Sequence, residues 1–162
     1  MSWYNRRLLL LSCAALAGCG FAPAHGPGGA AMRLRGAVLV DEPDSRPGYL
    51  LTRRFEERLD RATRPRYGLS YSISLTDRPI AISQANVITR YNKLGQVKWG
   101  LRDLDGDAVL LSGTEDSFTS YSASGTTVAT QAAERDAEAR LMTILTDRII
   151  TRLTAQAGAL PA

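Results

Sequence analysis

Histidine and lysine are almost missing from this chain, and their scarcity removes whole classes of chemistry. His25 is the only histidine, so a histidine-based triad or a multi-histidine metal site is excluded. It sits in a Gly/Pro/Ala stretch and reads as a solvated linker residue. Lys93 and Lys98 are the only lysines; the other basic residues are arginines, which favour bidentate contacts to carboxylates and phosphates. Cysteine is limited to Cys13 and Cys19, too few for a disulfide framework. No P-loop or G-x-G-x-x-G is present, and no apolar run approaches the ~20 residues of a membrane-spanning helix. Ser117, Ser120 and Ser122 have no base to activate them. Asp103, Asp105 and Asp107 alternate around Gly106 like the start of a calcium loop. The twelfth position is Thr114, however, where a bidentate Glu is required, so the stretch reads as a hairpin turn. By elimination the chain is not an enzyme, and no metal or dissociable cofactor is expected.

What the chain does have begins at its N-terminus. Arg6 and Arg7 precede about ten mostly apolar residues, the length of a signal-peptide h-region. Leu16-Ala17-Gly18-Cys19 follows, an apolar residue and two small ones before a cysteine. This is the bacterial lipobox pattern: the Cys19 thiol is acylated, the chain is cut before it, and residues 1–18 are lost. Cys13 goes with them. Losing Arg6 and Arg7 lowers the formal charge from +4 to +2, far from the balance of a nucleic-acid binder. Gly20, in place of Asp after the cysteine, favours an outer-membrane address. Residues 19–33 read as a flexible Gly/Pro/Ala tether, 34–157 as the folded domain, and 158–162 as a frayed C-terminus.

Within the domain the apolar period changes from element to element. Residues 34–40 read as a short β run. Ser45 is a fitting N-cap and Pro47 suits a first helical turn, predicting a helix over 47–63 ended by Pro65. Leu51, Phe55, Leu59 and Ala62 form its apolar stripe. From Tyr67 the period is two: Tyr67, Leu69, Tyr71, Ile73 and Leu75 alternate with Gly, Ser and Thr. Asp77-Arg78-Pro79 is expected to break that strand. A second long strand region covers 86–103, bent or interrupted near 92–96, and a further strand covers 108–121. No Gly or Pro interrupts 126–157, where Ala133, Ala137, Leu141, Leu145, Ile149 and Leu153 recur every four residues. Glu134, Asp136 and Glu138 early, with Arg148 and Arg152 late, complement the helix dipole. The order β-α-β-β-β-α predicts an α+β two-layer sandwich, two helices packed on a four-stranded mixed sheet.

Several local patterns together resemble the LPS-assembly lipoprotein LptE family. Cys19-Gly20-Phe21-Ala22-Pro23 is similar to that family's Cys-Gly-Phe-x-Pro start, although Ala24-His25-Gly26 departs from the usual Leu-Tyr-Gly. Tyr67-Gly68-Leu69, Arg90-Tyr91-Asn92 and Leu104-Asp105-Gly106 fit in order, as does a strand ending near Gly113. So do Ser120-Tyr121, Ala129-Thr130 and Ala133-Glu134-Arg135-Asp136-Ala137 ahead of a long helix. The resemblance implies an outer-membrane lipoprotein, anchored on the periplasmic face by covalent lipid on Cys19. It implies a plug in the LptD β-barrel that assists barrel assembly and binds lipopolysaccharide during its delivery to the outer leaflet, without catalysis. On that reading the basic series Arg90, Lys93, Lys98 and Arg102 meets lipopolysaccharide phosphates; residue types alone favour a solvated face. The alternative function is a periplasmic lipoprotein that binds a small ligand or a cell-wall component, and a ligand-sized apolar cavity would favour it.

Overall fold

The computed structural model describes Gly26 and residues 29–106 and 108–161. The signal segment, the lipobox with Cys19, His25 and Asp107 lie outside the described residues. The elements run β1 (Val38–Val40), α1 (Arg46–Leu59), β2 (Tyr67–Ile82), β3 (Ile88–Asp103), β4 (Val109–Ser122) and α2 (Thr127–Gln156). Short 3-10 turns lie at Ala30–Arg33 and Ala157–Ala159. One sheet has the order β1-β2-β3-β4, with β1 parallel to β2 and the other pairs antiparallel. The expected sandwich is the observed one: a β-α-β crossover, then a meander, with both helices contributing to one core.

Helix α1 starts as its sequence dictates. Ser45 Oγ accepts the Gly48 N–H at 3.3 Å and Pro47 sits in the first turn. Leu51, Phe55 and Leu59 are buried. The helix ends four residues short of the expected 63, before Pro65 has any say. The Leu59 carbonyl accepts from Gly36 N at 2.7 Å, Asp60 adopts φ +61°, and its carboxylate pairs with Arg35 at 2.9 Å. A neighbouring segment thus takes over the helix end, and Ala62 falls outside the helical stripe. The first strand is likewise shorter than 34–40. Leu34 ends the 3-10 turn in the core, and Gly36, at φ +65°, redirects the chain into β1.

Two expected interruptions are absent. β2 continues through Asp77-Arg78-Pro79 to Ile82, with register shifts between Pro79, Ala81 and Ile82. β1 covers only Tyr67–Leu69, so the rest of β2 is an edge, where a proline at a bulge removes no needed donor. β3 runs unbroken across 92–96. Gly95 is there for space: a Cβ on it would lie 2.9 Å from Leu141 and 3.1 Å from Leu145 and Leu75. The glycine lets α2 approach the strand.

The predicted stripe of α2 is the core. Ala137, Leu141, Leu145, Ile149 and Leu153 are fully buried, joined by Met142 and Ile150. Thr126 Oγ1 accepts the Ala129 N–H and caps the helix. Arg54 of α1 clamps Asp147 of α2 with two bonds of 3.0 and 2.9 Å. The C-terminal residues, expected to fray, dock instead. Leu160 is buried, and Tyr67 Oη donates to the Pro161 carbonyl at 3.2 Å. At the other terminus Ala31 is buried, so the packed domain begins inside the stretch expected to be tether.

Candidate functional site

The pleat divides β2, β3 and β4 into an inner face under the helices and an outer face that no element of the described chain covers. The cross-strand register fixes which residues share the outer face. Ser70, Ser72, Ser74, Thr76 and Arg78 of β2 lie opposite Gly100, Lys98, Gln96, Leu94 and Asn92 of β3. These in turn lie opposite Ser112, Thr114, Asp116, Phe118 and Ser120 of β4. The face is therefore mainly hydroxyl and amide. Phe118 is 61% exposed at its centre and borders a shallow cleft of about 310 Å³ with Ser74, Thr76 and Asp116. Ser117 is on the inner side, opposite Gly95.

Only part of the predicted basic series occupies this face. Arg90 and Lys98 are exposed on it, and neither has an ion-pair partner among the described residues. Arg102 is on the same face but half-buried, with Nη2 3.3 Å from Asp41 Oδ1. Eight residues of strand separate Arg90 from Lys98, about 26 Å, so these cations do not converge on one phosphate. Lys93 leaves the series altogether. It lies on the inner face, 3% exposed, with Nζ 2.8 Å from Asp77 and 3.1 Å from Glu134. Its ammonium also lies 5.8 Å from the Tyr121 ring centre, and Tyr121 stacks on Tyr91 at 5.3 Å. Lys93 thus joins β2, β3, β4 and the start of α2. Burial opposes its charge, but the hydrogen bonds its ammonium donates to Asp77 and Glu134, with their negative charge, outweigh that, and its pKa is raised. Burial, followed by the negative field of Asp77 and Glu134, pushes the Tyr121 hydroxyl up to about 12.

One cation escaped the sequence reading because it sits in the expected strand break. Arg78 is exposed on the outer face, directly opposite Asn92 and hence diagonal to Arg90 on the neighbouring strand, about 7–8 Å apart in backbone terms. Beyond the pair, the β2–β3 tip exposes Ile80 (48%), Ile82 (61%) and Val87 (58%). Residue order alone reads this tip as a turn; only the continued hairpin presents it as an apolar end beside two arginines. Elsewhere, an open cleft of about 570 Å³ separates β1 from α1, lined by Leu39, Val40, Tyr49, Thr52, Arg53 and Glu56. Asp103 Oδ1 accepts the Asp105 N–H at 3.0 Å, a turn contact. Among the described residues no group of acidic, histidine or cysteine side chains is arranged to hold a metal.

Comparison with known proteins places this geometry. The sequence model of the family LptE, lipopolysaccharide-assembly, matches residues 36–153, most of the chain. A candidate lipoprotein from Caulobacter crescentus has a similar crystal structure at 24% identity and TM-score 0.67, the match covering 82% of this chain and 98% of that one. Rare lipoprotein B from Shewanella oneidensis follows at 13% identity and TM-score 0.56, covering 76% and 96%. Lipoprotein B from Nitrosomonas europaea gives 14% and 0.55, covering 76% and 83%. At these identities the structures establish the shared fold. No curated protein sequence matches the chain.

Proposed function

The chain belongs to the lipopolysaccharide-assembly family LptE, and from that membership we propose that it is a lipid-anchored outer-membrane subunit of the lipopolysaccharide translocon. On this reading Cys19 carries the lipid, and the domain plugs the LptD barrel, assists its assembly and binds lipopolysaccharide on its way outward. The family is not one of enzymes, and the role needs no cofactor beyond the covalent lipid.

The observation that carries the reading is the outer sheet face. Three strands of 14 to 16 residues present hydroxyls and amides that the described chain leaves uncovered. A wet barrel interior suits such a surface, since each polar group keeps a water or a partner to bond. The face ends at Arg78 and Arg90 beside the apolar tip. That juxtaposition suits a phosphorylated lipid: guanidinium groups meet phosphate with charge-assisted hydrogen bonds, and the tip meets acyl chains. Lys93, bound to two carboxylates, holds the tip's base and is not a ligand contact.

Affinity purification of the acylated protein from solubilised outer membranes is expected to recover the barrel. Recovery of a monomer, with surface lipopolysaccharide unchanged on depletion, would sink the proposal. Arg78→Glu with Arg90→Glu is expected to weaken lipopolysaccharide binding at least tenfold while barrel recovery stays the same. The small-ligand alternative has one feature in its favour, the cleft between β1 and α1. It would prevail if a periplasmic extract supplied a ligand whose binding is lost on Tyr49→Ala.

A further inference from the structure

One end of the domain gathers arginines; apart from Arg66, whose guanidinium lies over the Tyr67 ring at 5.6 Å, neither the core nor the outer face uses them. Segments 29–37 and 58–66 carry Arg33, Arg35, Arg58, Arg61, Arg64 and Arg66 against a single acid, Asp60. The fold ties the two segments together. Gly36 N donates to the Leu59 carbonyl at 2.7 Å, Thr63 N to the Gly36 carbonyl at 3.1 Å, and Arg66 N to the Ala37 carbonyl at 2.9 Å. Arg35 is neutralised by Asp60 at 2.9 Å, and Arg61, 84% exposed, has a loose contact to Glu56 at 3.4 Å. Arg33, Arg58 and Arg64 are exposed, and among the described residues none has an acidic partner. The β3–β4 turn lies against the same end: Leu104 N donates to the Arg66 carbonyl at 2.9 Å, which puts Asp103 and Asp105 beside Arg66, at the edge of the patch away from Arg33, with Leu104 exposed. Met32, 45% exposed, stands in the 3-10 turn beside Arg33.

This is also the end at which the chain enters the domain. Residues 20–28 link Cys19 to Gly29 and span at most about 35 Å. Whatever holds Cys19 is therefore within about 35 Å of the segment that carries Arg33 and Arg35. We propose that the arginine-rich end docks on the anionic phospholipid headgroups of the leaflet that holds the anchor, with Met32 at the headgroup boundary. The inference rests on the lipid-anchor reading for its orientation. The physical gain is a second attachment. One set of acyl chains leaves a domain free to swivel on its tether, and cations near an anionic surface add attraction and fix which end faces the bilayer. Arginine suits the task because its fork bonds two phosphate oxygens at once. The opposite end, with Arg78, Arg90 and the apolar tip, is then directed away from that leaflet.

The test uses the whole mature chain, residues 19–162, with Cys19→Ser, so that no acyl group masks the contribution. Cosedimentation is measured with vesicles of phosphatidylcholine and of phosphatidylcholine mixed with phosphatidylglycerol. Binding is expected to the mixed vesicles only, and to be abolished near about 0.5 M salt, where exposed charges are screened. Arg33→Glu, Arg58→Glu and Arg64→Glu together are expected to weaken it about a hundredfold, at roughly fivefold per cation lost. Arg78→Glu with Arg90→Glu is expected to leave it unchanged. Equal binding to both vesicle types, or an equal loss in the tip variant, overturns the proposal. If the triple glutamate variant fails to fold, the same positions changed to Gln give the answer. Loss of barrel recovery in the triple variant with vesicle binding intact would assign the surface to an acidic partner and overturn the proposal too. Vesicle binding that follows the expected pattern in a protein that cells do not acylate would leave the headgroup surface standing and the anchor reading fallen.

Discussion

On its inner face β3 carries Lys93, Gly95, Val97, Trp99 and Leu101, all buried; one residue over, Arg90, Gln96 and Lys98 are exposed. The same 16-residue strand thus serves two solvents. The inner side is organised by apolar contact with α2, and its one buried charge is matched by two carboxylates. On the outer side hydroxyls and amides face away from the helices, and Phe118, opposite the partly covered Leu94, is the strongly exposed large apolar group at its centre. The difference teaches where each property resides: stability comes from the inner face, and the outer face is free to be shaped by what it meets.

The comparison can be broken most sharply in the core. Leu141→Ala or Leu145→Ala is expected to cost about 2–5 kcal/mol, by lost transfer energy plus a residual cavity. Ser72→Ala or Thr114→Ala is expected to shift stability by less than about 0.5 kcal/mol. Urea unfolding of the four variants decides it, and comparable losses on both faces would erase the distinction. Gly95→Ala comes next. Its new methyl would lie 2.9 Å from a Leu141 methyl and 3.1 Å from methyls of Leu145 and Leu75, and overpacking of this kind costs about 1–3 kcal/mol.

Lys93→Met probes the one buried inner charge. It leaves Asp77 and Glu134 without their cation, but both retain partial solvent contact, 34% and 40% exposed. The expected loss is about 1–2 kcal/mol, below the ~3–5 kcal/mol of a wholly buried broken pair. The same cluster sets an alkaline limit. A raised Lys93 pKa means the folded state holds its proton more tightly than the unfolded chain does. Its contribution is complete below the unfolded lysine value of about 10.4 and is lost as pH rises through the folded value. Tyr121, pushed up to about 12 from an ordinary value near 10, acts in the same direction across that window. Melting temperature is therefore expected to fall between about pH 10 and 12, and the fall to be shallower in Tyr121→Phe. A variant profile parallel to the parent's would remove Tyr121 from the account. The smallest stability effect belongs to Ser72→Leu. It should barely move the melting temperature, yet reduce barrel recovery if the outer face is the contact surface.

Much of this was legible in the residues. Alternation from Tyr67 to Leu75 sorted two faces correctly because a half-buried strand leaves a period of two. The four-residue recurrence from Ala137 to Leu153 named the core helix for the same reason. The basic series was less legible, although a signal was present. Lys93 has the parity of Val97, Trp99 and Leu101, so an unbroken strand puts it inside with them. Asn92 and Gly95 look like a bend, and an expected bend cancels parity. The structure shows that Gly95 makes room for leucines, a demand set by a helix some 46 residues further on. Arg78 was hidden in the same way, behind Pro79, whose tolerance depends on β2 being an edge strand there.

The sequence by itself determined the elements, their order, the apolar faces and the lipobox expectation, because each rests on local spacing and local chemistry. Tertiary structure decided how far β2 and β3 extend, where α1 stops, that the C-terminus docks, and which basic residues are satisfied inside and which face out. Those outcomes depend on partners distant in sequence: Gly36 for the Leu59 carbonyl, Asp77 and Glu134 for Lys93, Tyr67 for Pro161. A charge or a proline has no fixed meaning until the register places its neighbour, since burial and hydrogen bonding set its energy more than its identity does.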